Sequence, residues 1–285
     1  MLEEYAPGFD PTNRFMSWSL AKSITNAFVG RLVMERKLEL DAPAAVPAWQ
    51  GQPERQDITL RHLLNMTAGL GDDRTVSHII FAPGVSRNMF AAAAGIEQQD
   101  PPGTRWAYST ASSNLAAAIA SREVGRSRDD VAAWLNEHLF HVIGARSFEL
   151  EFDLEGHFVG GVFAWATARD WARLGYLYLR DGVWDGQRLL PEGWVNFSRT
   201  PADVPDNHQF GANLWISAPA SATQSLKLDA GLKAFYMSGS QGQLVVMVPD
   251  RDLIVVRLGE AHHLDWDAIN AFASRIAAAF PRVAE

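Results

Sequence analysis

The feature that most limits how this chain can fold is a helix that must be buried while carrying a lysine. Leu20, Ile24, Ala27, Phe28 and Leu32 keep the i, i+3, i+4 spacing of one helical face, and the pattern runs to Lys37. The stretch Phe15-Met16-Ser17-Trp18-Ser19-Leu20-Ala21-Lys22-Ser23-Ile24-Thr25 opens it, so Ser19 is expected in the first turn. Residues three apart stack on one side of a helix, which brings the Ser19 hydroxyl and the Lys22 amine within hydrogen-bond reach. A helix start also leaves backbone N–H groups unpaired, with positive dipole charge, where an oxyanion formed by attack of Ser19 on a carbonyl would be stabilised. The plain alternative is a helix N-terminus capped by Ser17 or Ser19, with Lys22 on a solvated face. Leu20, Ala21, Ile24 and Ala27 surround Lys22 in the sequence and favour a desolvated lysine able to act as a base.

Composition narrows the partners. Hydrophobic residues make up 47% and charged residues 20%, and no apolar run approaches the ~20 residues that cross a bilayer. The net charge of -8 argues against a nucleic-acid surface and suits small neutral or cationic partners. With no cysteine there is no disulfide, thiolate metal site or cysteine nucleophile. The acidic opening Met1-Leu2-Glu3-Glu4-Tyr5 lacks a secretory pattern, so the expectation is cytoplasmic, or periplasmic or secreted if the natural N-terminus is longer. His138, His141, His262, His263 and Asp265 do not fit His-Glu-x-x-His and read as surface or loop positions, so neither a metal nor another cofactor is expected. Ser238 to Gly242 matches Gly-x-Ser-x-Gly only superficially, since Ser238 takes the first glycine's place.

Along the chain, Thr59 caps a helix from Leu60 to Met66 that closes at Gly69, and 83–94 read as a further helix. The turn Asp100-Pro101-Pro102-Gly103-Thr104 delivers Arg105-Trp106-Ala107-Tyr108. Ser109 to Ser113 reads as a helix entry, and helices are predicted over 114–124 and 129–140. Strands are predicted over 147–152 and 158–164, the second with a loop holding two glycines as its alternative, and an amphipathic helix from Thr167 with Trp171, Leu174, Leu177 and Tyr178 as its stripe. Leu190-Pro191-Glu192 opens another helix. Residues 210–216, 234–237, 243–248 and 253–258 read as strands, with Pro249-Asp250-Arg251-Asp252 joining the last two, and a helix covers 266–280. Helices interrupting the route to an antiparallel sheet make an α+β pattern.

With these residues placed, the chain resembles the serine β-lactamase and penicillin-binding-protein superfamily, in particular its class C-like branch with esterases and 6-aminohexanoate-dimer hydrolases. Phe15 to Ser23 resembles the first motif. Ile58-Thr59-Leu60-Arg61-His62-Leu63-Leu64-Asn65-Met66-Thr67-Ala68-Gly69-Leu70 and Thr167-Ala168-Arg169-Asp170-Trp171-Ala172-Arg173-Leu174-Gly175 resemble two longer signatures. The resemblance implies a β-lactamase/transpeptidase-like α+β fold in which an antiparallel sheet is flanked by helices. It implies one catalytic domain over 1–285, with a mostly helical lobe at about 55–200 and a sheet lobe at about 1–54 and 201–285.

The resemblance also implies roles. Ser19 is the nucleophile and Lys22 its base. Tyr108, at the place of the second motif Tyr-x-Asn, takes the Ser19 proton and passes it to the leaving group. Thr110 replaces the motif's Asn, which touches substrate. Gly239-Ser240-Gln241-Gly242-Gln243 holds the place of the third motif, normally Lys-Thr-Gly or His-Thr-Gly. Ser240, Gln241 and Gly242 are then expected near substrate, and the Gln243 N–H is expected to pair with the Ser19 N–H as oxyanion donors. No cation lies in that motif, although Lys233 is close in sequence. Only eighteen residues precede Ser19, so strands usual before the motif are short or missing. Either an N-terminal portion is absent or a homodimer covers the open sheet edge. The implied activity is hydrolysis of a small ester, amide or peptide-like substrate through a Ser19 acyl-enzyme. The alternatives are a β-lactamase or D-alanyl peptidase, and a silent relative that binds an acyl or peptide-like ligand.

Overall fold

The computed structural model describes residues 1–71, 88–125, 127–205, 207, 209–216, 234–261 and 265–283. In chain order its elements are β1 (Phe15–Met16), α1 (Ala21–Met34), α2 (Leu60–Asn65), α3 (Met89–Ala94), α4 (Thr110–Arg122), α5 (Arg128–Leu135), β2 (Glu149–Leu150) and β3 (Ala164–Ala166). There follow α6 (Ala168–Leu179), β4 (Val183–Trp184), β5 (Gln187–Arg188), α7 (Trp194–Ser198), β6 (Trp215–Ile216), β7 (Phe235–Gly239), β8 (Gln243–Val248), β9 (Leu253–Arg257) and α8 (Trp266–Ala279). Among the described residues no helix is long and apolar enough to cross a membrane.

Helix α1 lies at the centre, beside α4. One apolar stripe was expected, yet it is buried nearly all round, enclosing Lys22, Ser23, Thr25 and Asn26 along with Ile24, Ala27 and Phe28. Buried polar groups are tolerated when each finds a partner. Thr25 Oγ1 donates to Gly160 O (3.0 Å). Asn26 Nδ2 donates to Ser198 Oγ (3.0 Å) and Ala212 O (2.8 Å), while its Oδ1 accepts from Tyr178 Oη (2.6 Å) and Trp194 Nε1 (2.9 Å). One amide therefore ties α1 to α6, α7 and the segment leading to β6.

The larger sheet runs β6-β7-β8-β9 and is antiparallel, with Phe235 opposite Met247, Gly239 opposite Gln243 and Val248 opposite Leu253. Period-two alternation divides its residues. Phe235, Met237, Val245 and Met247 enter the main core, whereas Tyr236, Leu244, Val246, Val248 and Val255 pack with Ile269, Ala273 and Ala277 of α8. Helix α6 falls inside the span expected to form the helical lobe, but it packs on β8 and β9. Gly175 permits this closeness, since a Cβ there would lie 2.8 Å from Val245 Cγ1. Strand β9 pairs with β8 alone among the described residues.

Helix ends follow side-chain chemistry. Thr59 and His62 form a reciprocal capping box on α2, Thr167 caps α6 where its sequence begins the helix, and Asp265, not read as a cap from the sequence, caps α8. Ser109 caps α4, which therefore starts at Thr110, within the helix entry read at 109–113 and ahead of the regular run from Asn114. Strands are shorter than expected where glycines turn the chain. Residues 160–162 form a turn, leaving only Ala164–Ala166 extended, and a Cβ on Gly160 would lie 2.1 Å from Thr25 Oγ1. The hairpin β4-β5 was not anticipated, although Asp185-Gly186, with φ 47 and 78, is a two-residue turn signal. Of the predicted helix over 83–94, residues 83–87 lie outside the described residues.

Two outcomes follow from these contacts. Asn26→Leu leaves Trp194 Nε1 without its acceptor and removes one partner each from Tyr178 and Ser198. An unsatisfied buried group costs about 1–3 kcal/mol, so urea denaturation is expected to show a loss of about 2–4 kcal/mol, and a loss below about 1 kcal/mol would contradict the network's role.

The second outcome concerns Asp153, whose buried carboxylate accepts from Met89 N (2.9 Å), Glu155 N (3.0 Å), His157 N (2.9 Å) and His157 Nδ1 (3.2 Å). Burial by itself raises this carboxyl's pKa, but the His157 ring and the N–H donors outweigh it and hold the group below its ordinary value. A depressed carboxyl contributes stability that is complete above its unfolded value, about pH 4, and is lost as pH falls through the lower folded value. Asp153→Asn should flatten this acid limb in denaturation curves recorded from pH 7 to 3. An unchanged limb counts against the assignment.

Candidate active site

Ser19 lies in a 3-10 turn, Trp18–Leu20, that feeds α1, one step before the α-helical turn expected for it. Neither Ser17 nor Ser19 caps the helix through its side chain. Ser17 is instead buried against β3: its N–H donates to Ala164 O (2.8 Å), and its Oγ accepts from Ala164 N (2.8 Å) and donates to Trp18 O (2.8 Å). This anchoring sets the turn, in which Trp18 adopts φ 47. Ser19 remains partly exposed, and among the described residues its N–H makes no backbone hydrogen bond outside the turn.

Lys22 is 2% exposed, which rules out the solvated face of the plain reading. Its Nζ lies 3.2 Å from Ser19 Oγ, 3.1 Å from Thr110 Oγ1 and 2.5 Å from Gly161 O. Thr110, expected against substrate, is buried at the start of α4 and turned to the lysine. Gly161 was not singled out from the sequence, and the Gly160-Gly161 pair inside a strand-like run was the available signal. Its N–H donates to Asn114 Oδ1 (2.8 Å), and a Cβ there would lie 2.7 Å from that oxygen and 2.8 Å from Thr110 O. Only a glycine lets this carbonyl reach the amine.

Tyr108 reaches the site on a platform built by the 58–70 signature. After α2, Met66 turns left-handed, and the following backbone holds the delivering segment: Gly103 N donates to Thr67 O (2.7 Å), Ala107 N to Met66 O (3.0 Å) and Gln99 N to Gly69 O (2.8 Å). The Tyr108 ring centroid lies 4.9 Å from Lys22 Nζ, and the ring stacks on Trp215 (5.5 Å) and meets Phe210 edge-on (5.9 Å). Among the described residues no hydrogen bond joins the Tyr108 hydroxyl to Ser19 or Lys22. The contact is made by the ring face, and the Ser19–Tyr108 hydrogen bond expected of a relay is not formed.

The third motif does meet the Ser19 turn. Gly239 ends β7 so close to it that a Cβ would lie 2.3 Å from Ser17 O. Ser240 is exposed, Gln241 is left-handed (φ 62) with its side chain on Trp18, and Gly242 is buried. The Gln243 side chain is committed to Gly259, donating to its carbonyl (2.9 Å) and accepting from its N–H (2.9 Å). A cation missed in the sequence lies behind this loop: Arg257 Nη1 donates to Gly242 O (2.8 Å), Gln241 O (3.3 Å) and Gly259 O (3.3 Å). Burial lowers its pKa from the ordinary arginine value, although an arginine stays charged. Lys233, His262 and His263 lie outside the described residues. His138 stacks on Trp134 at 4.6 Å, and His141 is exposed.

This chain is similar to solved structures over nearly all its length. A Bacillus anthracis protein that carries the name of a 6-aminohexanoate-dimer hydrolase superposes with a TM-score of 0.78 at 19% identity, covering 99% of this chain and 77% of that one. A D-stereospecific amidohydrolase from Streptomyces sp. gives 0.67 at 19% identity (94% and 88%), and a beta-lactamase from Mycobacterium bovis gives 0.68 at 21% (94% and 89%). At these identities the likeness establishes a shared β-lactamase/transpeptidase-like fold. An uncharacterized protein from Alkalihalophilus pseudofirmus is 23% identical over 263 residues, 84% of this chain and 71% of that protein. The family described as Beta-lactamase matches residues 3–279, the whole span of fold and site described above, and the chain belongs to the beta-lactamase family.

Proposed function

We propose that this protein is a serine hydrolase that cleaves a small uncharged ester or amide through an acyl-enzyme on Ser19. The observation that carries the reading is the arrangement of three oxygens around Lys22 Nζ. Gly161 O can only accept, so one N–H of the lysine is spent there, and Thr110 Oγ1 can accept a second. Lys22 Nζ lies 3.2 Å from Ser19 Oγ, and in the proposed reaction this nitrogen, as the base, takes the Ser19 proton as the Oγ–carbonyl carbon bond forms. The Ser19 N–H, at the entry to α1, and an N–H of the β7–β8 turn such as that of Gln243 serve the oxyanion. Lys22 returns the proton to the leaving group, with Tyr108 as the adjoining acid–base group, and the carbonyl–leaving-group bond breaks. Water then attacks the acyl-enzyme by the same proton path in reverse and frees Ser19.

Charge supports an uncharged substrate. At the third-motif loop Arg257 is turned to three carbonyls, and the neighbouring carboxylate of Glu260 is negative. A charge-assisted hydrogen bond to a substrate carboxylate, worth about 1.5–3 kcal/mol, is thus missing among the described residues. Its loss lowers kcat/KM for a carboxylate-bearing β-lactam by about tenfold to a hundredfold and leaves a neutral ester unaffected.

Intact-mass measurement after fluorophosphonate treatment should show one adduct on the parent and none on Ser19→Ala, and full labelling of the variant would refute the nucleophile. Lys22→Ala and Tyr108→Phe should each lower kcat for nitrophenyl butyrate by about a hundredfold or more. The double variant should fall short of the product of the two losses, because the groups share one proton path. Efficient turnover of nitrocefin with negligible ester cleavage would replace this reading with the β-lactamase alternative.

A further inference from the structure

Gln241 makes a contact unlike the one its motif position suggests. Its Oε1 accepts from Trp18 Nε1 (3.0 Å) across 223 positions of chain, and its Nε2 donates to Glu260 Oε1 (3.3 Å). Both residues joined by the first bond have left-handed backbone, Trp18 at φ 47 and Gln241 at φ 62. Residues with a Cβ seldom hold that conformation unless their surroundings enforce it. Trp18 immediately precedes Ser19, so its backbone angles aim both the hydroxyl and the N–H of the nucleophile. The turn that carries Gln241 is held separately: Arg257 grips the Gln241 and Gly242 carbonyls, and Gly239 sits against Ser17 O and Trp18 Cβ. A firmly held loop thus reaches out with one amide to the residue beside Ser19.

Resting on the hydrolase reading above, we infer that Gln241 is a positioning residue. Its side-chain amide keeps Trp18 in the left-handed conformation and sets the Ser19 turn in register with the β7–β8 turn, so that the nucleophile and the oxyanion donors stay aligned. Gln241 acts through Trp18 and not through substrate. Misalignment of about 1 Å at a reacting centre can cost on the order of a hundredfold in rate, so the effect belongs in kcat and not in KM.

Three variants separate the possibilities. Gln241→Asn keeps a residue tolerant of left-handed backbone but is one methylene too short for Trp18. Trp18→Phe removes the donor and keeps an aromatic ring beside Phe163. Gln241→Glu combined with Glu260→Gln keeps an oxygen acceptor for Trp18 Nε1 without placing two carboxylates together. Gln241→Asn and Trp18→Phe should each lower kcat for nitrophenyl butyrate, and the fluorophosphonate labelling rate, by about tenfold to a hundredfold with KM within about twofold. Combining these two should cost no more than either alone, and the Glu/Gln pair should return to within about threefold of the parent.

The indole N–H resonance of Trp18, assigned by its loss in Trp18→Phe, should shift in Gln241→Asn and stay in place in the Glu/Gln pair. A raised KM with kcat intact would make Gln241 a substrate contact, and an unmoved resonance in Gln241→Asn would remove the clamp altogether. If the parent neither labels nor turns over any ester, the hydrolase reading falls, and the resonance still decides whether Gln241 holds Trp18.

Discussion

The structure depends on enclosing a primary amine. A lysine 2% exposed in the core is costly unless oxygens surround its nitrogen, and here one comes from Ser19 one turn earlier and two from distant parts of the chain, Thr110 at the start of α4 and Gly161 in a tight turn. Each source imposes its own condition. Helix α1 must be central so that Lys22 points inward. Helix α4 must begin at Thr110, which the Ser109 cap ensures. Residue 161 must be glycine, because Asn114 and the Thr110 carbonyl occupy the space a side chain would fill.

The rest of the fold braces that enclosure. Asn26, one turn beyond Lys22, fastens α1 to α6 and α7, so the helix cannot rotate without stranding Trp194 Nε1 and part of the Tyr178 and Ser198 bonding. Gly30 lets the Trp194 indole lie against α1, where a Cβ would come within 2.6 Å of it. Helix α6 carries this restraint to the sheet through Gly175 on Val245, and the sheet ends at the turn that abuts Ser17 and Trp18. Nucleophile, base and third motif are therefore held by one continuous set of packed contacts. The N-terminal segment joins it where Arg169 of α6 pairs with Glu3 in two hydrogen bonds of 2.7 Å.

The long signatures in the sequence acquire a physical meaning. The 58–70 stretch shapes the backbone receptor for the segment that delivers Tyr108, and the left-handed Met66 and Gly69 are what bring its carbonyls to that segment. A Cβ at Gly69 would lie 1.8 Å from Asp100 O, so the receptor tolerates no larger residue there. The 167–175 stretch caps and packs α6. Its Asp170 accepts from Ser147 N and Ser147 Oγ (both 2.7 Å), fixing the chain just before β2. Neither stretch supplies a group that contacts Lys22; each holds one that does, or the helix on which it stands.

Local chemistry alone settled a good part of this protein. Helical periodicity and capping residues located α1, α2, α6 and α8, and alternation with a Pro-Asp-Arg-Asp turn located β8 and β9, because those signals act over a few residues and the fold left them intact. The pairing of Ser19 with Lys22 was legible for the same reason, being a matter of helical spacing. What needed the tertiary structure was everything that depends on which distant backbone arrives at the site. Burial all round α1 turned an amphipathic pattern into a central helix. The Gly161 carbonyl reached Lys22 across 139 positions, and Gln241 reached Trp18 across 223. Thr110 faced the lysine and Tyr108 presented its ring face, because the cap at Ser109 and the stacking on Trp215 oriented them. Arg257 came from a strand two removed from β7. Sequence spacing can place a side chain on a face, but which backbone that face meets is decided only when the chain packs.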